Sequence, residues 1–321
     1  MSHPDNFVLS IIVIVFNMRR EAPRTLYSLS PSYQRGISSK DYEVIVIDNG
    51  SDEPLKEEEV EAYGPNFRYL YHDTRSPSPV EAVNLGVSLA RSGTVMICLD
   101  GARILSPGLL FFARAATTAC APRPAFVATL AWHLGPEVQQ TSVHQGYGKE
   151  HEDRLLSGID WRENGYDLFT IATLAPSSDA GWFCTPAESS CFALPKTEYE
   201  RLGGFDLRFQ AAGGGLAALD FFKRALASDG LDYVMLLGEG TFHQIHGGAS
   251  TNAPSSAWEA FHDEYVAVRG EPYSRPDRAP LYFGSMPAQC LPFLRLSVEH
   301  ARGTEAGVGP GDEAAIPGVQ E

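Results

Sequence analysis

Apolar and polar positions along the chain fall into two rhythms. Residues 9–16 (LSIIVIVF) and 43–47 (EVIVI) are nearly unbroken runs of β-branched and other apolar side chains. Such runs suit strands buried on both faces of a parallel sheet. Short runs at 67–72, 94–99, 126–132, 191–194 and 233–237 predict further strands. Between them, helical signal marks 21–30, 57–63, 78–91, 107–119, 196–202, 216–228 and 257–268. The clearest helix is 78–91, with Val80, Val83, Leu85, Val87 and Leu89 as its apolar set. Ser78 is expected as its N-cap and Gly93 as its C′ glycine. Strands alternating with helices indicate α/β architecture with right-handed crossovers.

Two stretches break the rhythm. Residues 136–179 are rich in His, Gln, Glu and Asp and read as an irregular insertion over a site. Residues 303–321, GTEAGVGPGDEAAIPGVQE, are rich in Gly and Pro with only acidic charges, and read as a disordered tail.

The 321 residues suffice for one large domain or one domain with an appendage. Apolar residues at 44% and charged residues at 20% fit a soluble globular enzyme. The net charge of −15 argues against a general nucleic-acid binder and against attraction to anionic membranes. Five scattered cysteines with no CxxC pair read as reduced thiols. No apolar run reaches the ~18 residues of a membrane span, and no signal-peptide pattern opens the chain. A cytoplasmic protein is the resulting expectation.

Ligands bind open α/β sheets outside the carboxyl ends of the strands. Asn17 and Asp48 fall at two such ends, which predicts a polar pocket there. Phe16-Asn17, then a helix, then a strand ending in Asp48-Asn49-Gly50-Ser51 resembles the start of the family 2 glycosyltransferases of the GT-A fold. The resemblance continues through Asn84-x-Gly86, Asp100-Gly101-Ala102-Arg103 with Pro107, the 188–196 segment ESSCFALPK, and Gly203-Gly204-Phe205-Asp206. It covers roughly 9–252.

The resemblance implies an α/β fold of GT-A type: a Rossmann-like mixed, mostly parallel sheet flanked by helices, with a C-terminal helical extension. Residues 1–252 would form the nucleotide-sugar-binding and acceptor domain, 253–302 the extension and 303–321 the tail. It implies transfer of a sugar, with inversion, from a nucleoside-diphosphate sugar (UDP among the candidates) to a hydroxyl or amine acceptor. Asp48 would accept hydrogen bonds from the base, as a carboxylate can. Phe16, Asn17, Asn49, Asn84, Asp100 and Arg103 would line the nucleotide-sugar, with Arg91 facing the phosphates. A divalent metal, Mn²⁺ or Mg²⁺, would sit on Asp100 and the diphosphate. A homodimer is compatible with the family.

The chain also departs from the family. Relatives carry Asp-x-Asp where this sequence has Asp100, Ala102 and then Arg103. One carboxylate is a poor site for a hard cation. Either the metal takes ligands from elsewhere, or Arg103 takes over part of the charge neutralisation, since guanidinium matches phosphate. His243 and His246 in GEGTFHQIHGGASTN are candidate ligands on a glycine-rich loop. Imidazole suits Mn²⁺ and Zn²⁺ better than Mg²⁺. Three residues apart, the pair converges in a loop or diverges in a strand.

Relatives also place a Glu-Asp pair after a glycine pair to deprotonate the acceptor. Here Gly213-Gly214-Gly215 leads to Ala217, Ala218 and Asp220, and the pair is missing. Asp220 and Glu188 are the candidate general bases. Trp161 and Trp182 either stack on a sugar or pack in the core. The alternative function is a catalytically degenerate GT-A domain that binds a nucleotide or glycan without turnover, which Ala102 and Ala217-Ala218 favour.

Overall fold

The computed structural model describes residues 7–248 and 257–305. Ten strands form one sheet: β1 Leu9–Val15, β2 Tyr42–Asp48, β3 Phe67–Tyr71, β4 Thr94–Cys98, β5 Arg103–Leu105, β6 Ala125–Leu134, β7 Ala172–Leu174, β8 Cys191–Pro195, β9 Asp232–His243 and β10 Leu281–Gly284. The helices are α1 Ala22–Ser28, α2 Glu57–Glu61, α3 Val80–Leu89, α4 Leu109–Ala119, α5 Gln139–Ser142, α6 Lys149–Ser157, α7 Lys196–Arg201, α8 Ala217–Leu226, α9 Trp258–Arg269 and α10 Leu291–Glu305. The main path across the sheet is β10-β9-β6-β8-β4-β1-β2-β3.

The strands β4, β1, β2 and β3 run parallel, as do β10, β9 and β6, while β8 lies antiparallel between β4 and β6. The period-2 alternation of a strand sorts the apolar runs onto two faces. Leu9, Ile11, Val13 and Val15 pack with α1 and α4 on one face. Ile12 and Ile14 pack with α3 and α8 on the other. Every residue of β1 and β2 is buried, as the unbroken apolar runs required.

Strand order reverses direction between β1 and β4, and the crevice at their carboxyl ends is where such sheets take ligands. The turn after β4 is tied into that crevice. Gly101 donates its N–H to the carbonyl of Ile14 at 2.7 Å, and Leu99 to that of Ser190 at 3.1 Å. A Cβ at Gly101 would strike Val15, so the close approach requires glycine there.

Several expected elements need correction. Ser78 does not cap α3: Pro79 occupies the N-cap, and the Ser78 hydroxyl donates instead to the Phe209 carbonyl at 2.8 Å. Gly93 does not close α3, which stops at Ala90 in an extended conformation. The strand expected over 233–237 continues to His243, because its glycines serve close packing instead of ending the strand. A Cβ on Gly240 would strike the Trp132 ring. Residues 136–179 contain α5, α6 and β7 and are less irregular than the composition implied.

The C-terminal part holds α9 and α10 as expected, but it also adds β10 to the sheet, parallel to β9. Helix α10 runs through Glu305, so 303–305 are helical, while 306–321 lie outside the described residues. The boundary expected at 252 also falls outside them. All five cysteines are free. Among the described residues, no helix is long and apolar enough to cross a membrane.

Candidate active site

The site grows out of the turn that follows β4. Asp100 accepts the Ala102 N–H on Oδ1 at 2.8 Å, which fixes the carboxylate and aims Oδ2 away from the turn. Strand β5 then pairs antiparallel with β9, with Arg103 opposite His243. That pairing carries His243 Nε2 to 2.9 Å from Asp100 Oδ2 and His246 Nε2 to 3.4 Å. The two imidazole nitrogens lie 3.1 Å apart. One ligand atom from each of Asp100, His243 and His246 falls within 4.8 Å of the others.

The three-residue spacing converges because His243 ends the strand and the chain turns immediately after it. It was expected on a loop, and the strand end is the correction. Gln244 seals the turn, donating its N–H to the Ala102 carbonyl at 2.8 Å. Ala102, where the family resemblance implied a second carboxylate, is completely buried in the wall of the site. A carboxylate there would have to displace this packing.

Arg103 lies beside the triad. Its Nε is 3.9 Å from Asp100 Oδ2, and its Nε and Nη1 are buried without a hydrogen-bond partner. Orphaned buried donors are costly, so a guanidinium left this way calls for an anion. Glu188 is half-buried nearby. Burial pushes its carboxyl up, and the Arg103 charge opposes that.

The triad's own electrostatics follow from the same crowding. Burial pulls His243 down to about 4, against the pull of Asp100. Burial also lowers His246, but Asp100 outweighs it and leaves that imidazole raised. Burial would raise Asp100, yet His246 and His243 hold it well below the usual carboxylate range. One carboxylate oxygen and two imidazole nitrogens on one point are a donor set that fits a divalent transition cation.

The insertion contributes residues that the sequence reading did not name. Gln139 Oε1 lies 2.7 Å from His243 Nδ1, and Gln139 Nε2 donates to the His243 carbonyl at 3.0 Å. The Gln139 N–H donates to His133 Nδ1 at 3.0 Å. His133 is buried beside His243, its ring centroid 5.5 Å away. Glu152 accepts the Ile245 N–H at 2.7 Å and so braces the chain between the two histidines. Arg20, two residues before α1, ties the turn after β1 to this insertion through Glu152 and Asp153. The signal for these residues was the density of polar and titratable types in 136–179 and a histidine directly after the apolar run at 126–132.

The nucleotide-side residues take varied positions. Asp48 ends β2 and is buried; its Oδ1 accepts the Ser51 N–H at 2.8 Å, and its Oδ2 accepts the Tyr69 hydroxyl at 3.2 Å. Asn17 sits at φ 52°, a left-handed conformation that Asn tolerates. Its amide brackets Asp52, accepting the Asp52 N–H at 2.9 Å. Phe16 is 46% exposed at the end of β1. Asn49 is buried, and its Oδ1 lacks a partner.

Other candidates do not join this group. Asn84 bridges α3 to the Gly-Gly-Phe-Asp loop: Nδ2 donates to the Phe205 carbonyl at 2.9 Å, and Oδ1 accepts the Tyr199 hydroxyl at 2.5 Å and the Phe205 N–H at 3.1 Å. Its hydrogen-bonding capacity is used structurally. Arg91 lies by Glu43, at the amino end of β2, away from the carboxyl ends.

Asp220 is buried, with Arg224 Nε at 2.8 Å and Arg269 Nε at 2.5 Å. Both its oxygens face guanidinium groups, and none of its partners belongs to the triad. Trp182 and Trp161 are core side chains. Trp182 donates Nε1–H to the Leu236 carbonyl at 3.0 Å, and Trp161 packs edge-on against Tyr27 and Tyr33.

Residues 10–154 match the family described as Glycosyl transferase family 2, so the resemblance read from the sequence holds over that segment. No curated protein matches the chain in sequence. Among solved structures, the chain is similar to S. aureus TarS 1–349 in complex with UDP-GlcNAc, with TM-score 0.52 and 13% identity over 81% of this chain and 65% of that one. It is similar to S. aureus TarS 1–349 without that ligand at TM-score 0.50 and 12% identity, over 81% of this chain and 64% of that one. The chain thus spans less than two thirds of these structures. The fold is that of the GT-A glycosyltransferases: a mixed, mostly parallel sheet flanked by helices.

Proposed function

We propose that this GT-A chain is a glycosyltransferase that moves a sugar, with inversion, from a nucleoside-diphosphate sugar to a hydroxyl or amine acceptor. The observation that carries the reading is the convergence of Asp100, His243, His246 and Arg103, whose Nε and Nη1 make no hydrogen bond, at the crevice between β1 and β4. Asp100, His243 and His246 would hold a divalent transition cation such as Mn²⁺. When bound, it would draw charge from the leaving diphosphate as a Lewis acid. Arg103 supplies the second positive group, and its orphaned nitrogens can donate to phosphate oxygens. It thereby replaces part of what the missing carboxylate would have gained through the metal.

Glu188 is the general base in this reading. Its carboxylate takes the acceptor O–H or N–H proton as the acceptor atom bonds to the anomeric carbon. The bond from that carbon to the diphosphate oxygen breaks, and the nucleoside diphosphate leaves with the electron pair. The upward push of burial on Glu188 brings its basicity closer to the working pH, as general-base catalysis favours. Asp220 is the weaker candidate, because two guanidinium groups already hold its charge.

Asp48 faces the base from the end of β2, with Phe16, Asn17 and Asn49 beside it. The similar TarS 1–349 structure is a complex with UDP-GlcNAc, so uridine donors are the first to assay.

Release of nucleoside diphosphate from donor sugars tests the proposal. Turnover that disappears in Asp100→Ala supports it. Tight nucleotide binding with no release under any donor or metal would instead establish the non-catalytic binding domain, which the buried Ala102 favours.

A further inference from the structure

The geometry points to Gln139, on the insertion, as the positioning residue that sets the tautomers of two histidines in opposite senses. The inference deepens the metal reading above and rests on it only for its purpose. The Gln139 amide cannot be flipped without loss. Its Nε2 donates to the His243 carbonyl at 3.0 Å, a group that can only accept. The amide oxygen must therefore face His243 Nδ1, at 2.7 Å. An amide oxygen only accepts, so Nδ1 of His243 carries a proton, and in the neutral ring its Nε2 is bare.

The backbone of the same residue works the other way. The Gln139 N–H donates to His133 Nδ1 at 3.0 Å, so His133 carries its proton on Nε2.

The bare nitrogen has consequences at the triad. His243 Nε2 faces His246 Nε2 at 3.1 Å, a contact that works only with His246 as donor. It also faces Asp100 Oδ2 at 2.9 Å, where in the neutral ring two lone pairs meet with neither a proton nor a cation between them. A cation between them turns that repulsion into ligation. A histidine of the opposite tautomer would present a proton to the ion and could not ligate. Hydrogen bonds to the far nitrogen of a ligand histidine are known to orient it and raise its basicity. Here the orienting group comes from α5, and both its side chain and its backbone are used.

The test uses the full chain, labelled with ¹⁵N-histidine and free of metal at pH 8. Long-range ¹H–¹⁵N spectra distinguish a protonated Nδ1 from a protonated Nε2. Signals of His243 and His133 are assigned by their loss in His243→Ala and His133→Ala. The expected spectrum has His243 as Nδ1–H and His133 as Nε2–H. Gln139→Met keeps the bulk of the side chain but not its polarity, and should release His243 into a mixture of tautomers. Gln139→Glu keeps an acceptor on Nδ1 and should restore Nδ1–H.

Manganese alone, followed by electron paramagnetic resonance, supplies the second readout. Gln139→Met should weaken Mn²⁺ binding about 10- to 100-fold, with Gln139→Glu close to the unmodified chain. The inference is overturned if His243 carries Nε2–H in the unmodified chain, or if Gln139→Met leaves the His243 signals unchanged. A chain with the expected tautomers that takes up no Mn²⁺ would overturn the metal reading and support the positioning role of Gln139.

Discussion

At the scale of single residues, the site depends on side chains whose partners are missing or forced. Arg103 keeps buried nitrogens without partners. Removing its charge should therefore cost ligand affinity more than stability. Arg103→Leu is expected to weaken nucleoside-diphosphate binding at least about tenfold, the ~1.4 kcal/mol of a charge-assisted hydrogen bond. Arg103→Lys should restore it only in part, since an ammonium lacks the forked geometry. Isothermal calorimetry with UDP and GDP reads both variants.

Glu188 supplies a prediction in pH. A base must be ionised to act, and burial raises this carboxyl. The value of kcat/KM should therefore fall as pH drops through that raised pKa, and Glu188→Gln should remove most of the rate. An acid limb that persists in the variant would assign the titration to another group. The sequence showed that Asp100, Glu188 and the two histidines were present. It did not show that Asn84 and Asp220 are already spoken for, because their partners lie 121 and 49 residues away.

At the scale of elements, two strands and a helix pair decide which polar residues become a site. Helices α8 and α9 are pinned together by Arg269 on Asp220, with Arg224 on the same carboxylate. Breaking a buried pair typically costs about 3–5 kcal/mol, because the other charge is left uncompensated. Asp220→Ala should therefore lower Tm by roughly ten degrees and leave Mn²⁺ binding intact at temperatures where the chain stays folded. Loss of turnover in an Asp220 variant of undiminished stability would return the base role to Asp220.

Strand β9 carries a second buried carboxyl, Glu239, which accepts the Ser106 hydroxyl at 2.5 Å and the Tyr166 hydroxyl at 2.6 Å. Burial, opposed by these two hydroxyls, pushes it up to about 7. Burial likewise lifts Glu152 to about 7, against the Ile245 N–H and Arg20. Both folded-state values exceed the ordinary carboxyl value, so the folded chain binds more protons than the unfolded chain between about pH 4.5 and 7. The contribution of these groups is complete below that window and declines as pH rises through it. Glu239→Gln should flatten the dependence of Tm on pH in that interval.

At the scale of the whole molecule, the crevice should report its ligand as stability. Ligand at ~100 times its Kd adds ~2.7 kcal/mol, a shift of several degrees in Tm. Thermal scans with UDP, GDP and dTDP nucleotides, with and without Mn²⁺, should show a metal-dependent shift with one base. A metal-independent shift would assign the phosphate to Arg103 alone.

Much of the architecture was legible along the chain. Strands β1 and β2 must be buried on both faces, because unbroken β-branched runs have no polar face to offer water. Alternation with helices made the sheet largely parallel, and Asp48 and Asp100 fell at carboxyl ends for the same local reason. The sequence by itself thus determined the elements, the parallel core and the end of the sheet at which a ligand binds, since these follow from short-range periodicity. Only the tertiary structure decided the site. The β5–β9 pairing sets Arg103 against His243, and the insertion brings Gln139 to both His133 and His243. The pairing of Arg103 with His243 and of Gln139 with His243 joins polar groups about a hundred or more residues apart, and no local rhythm of apolar positions encodes polar pairing at that distance.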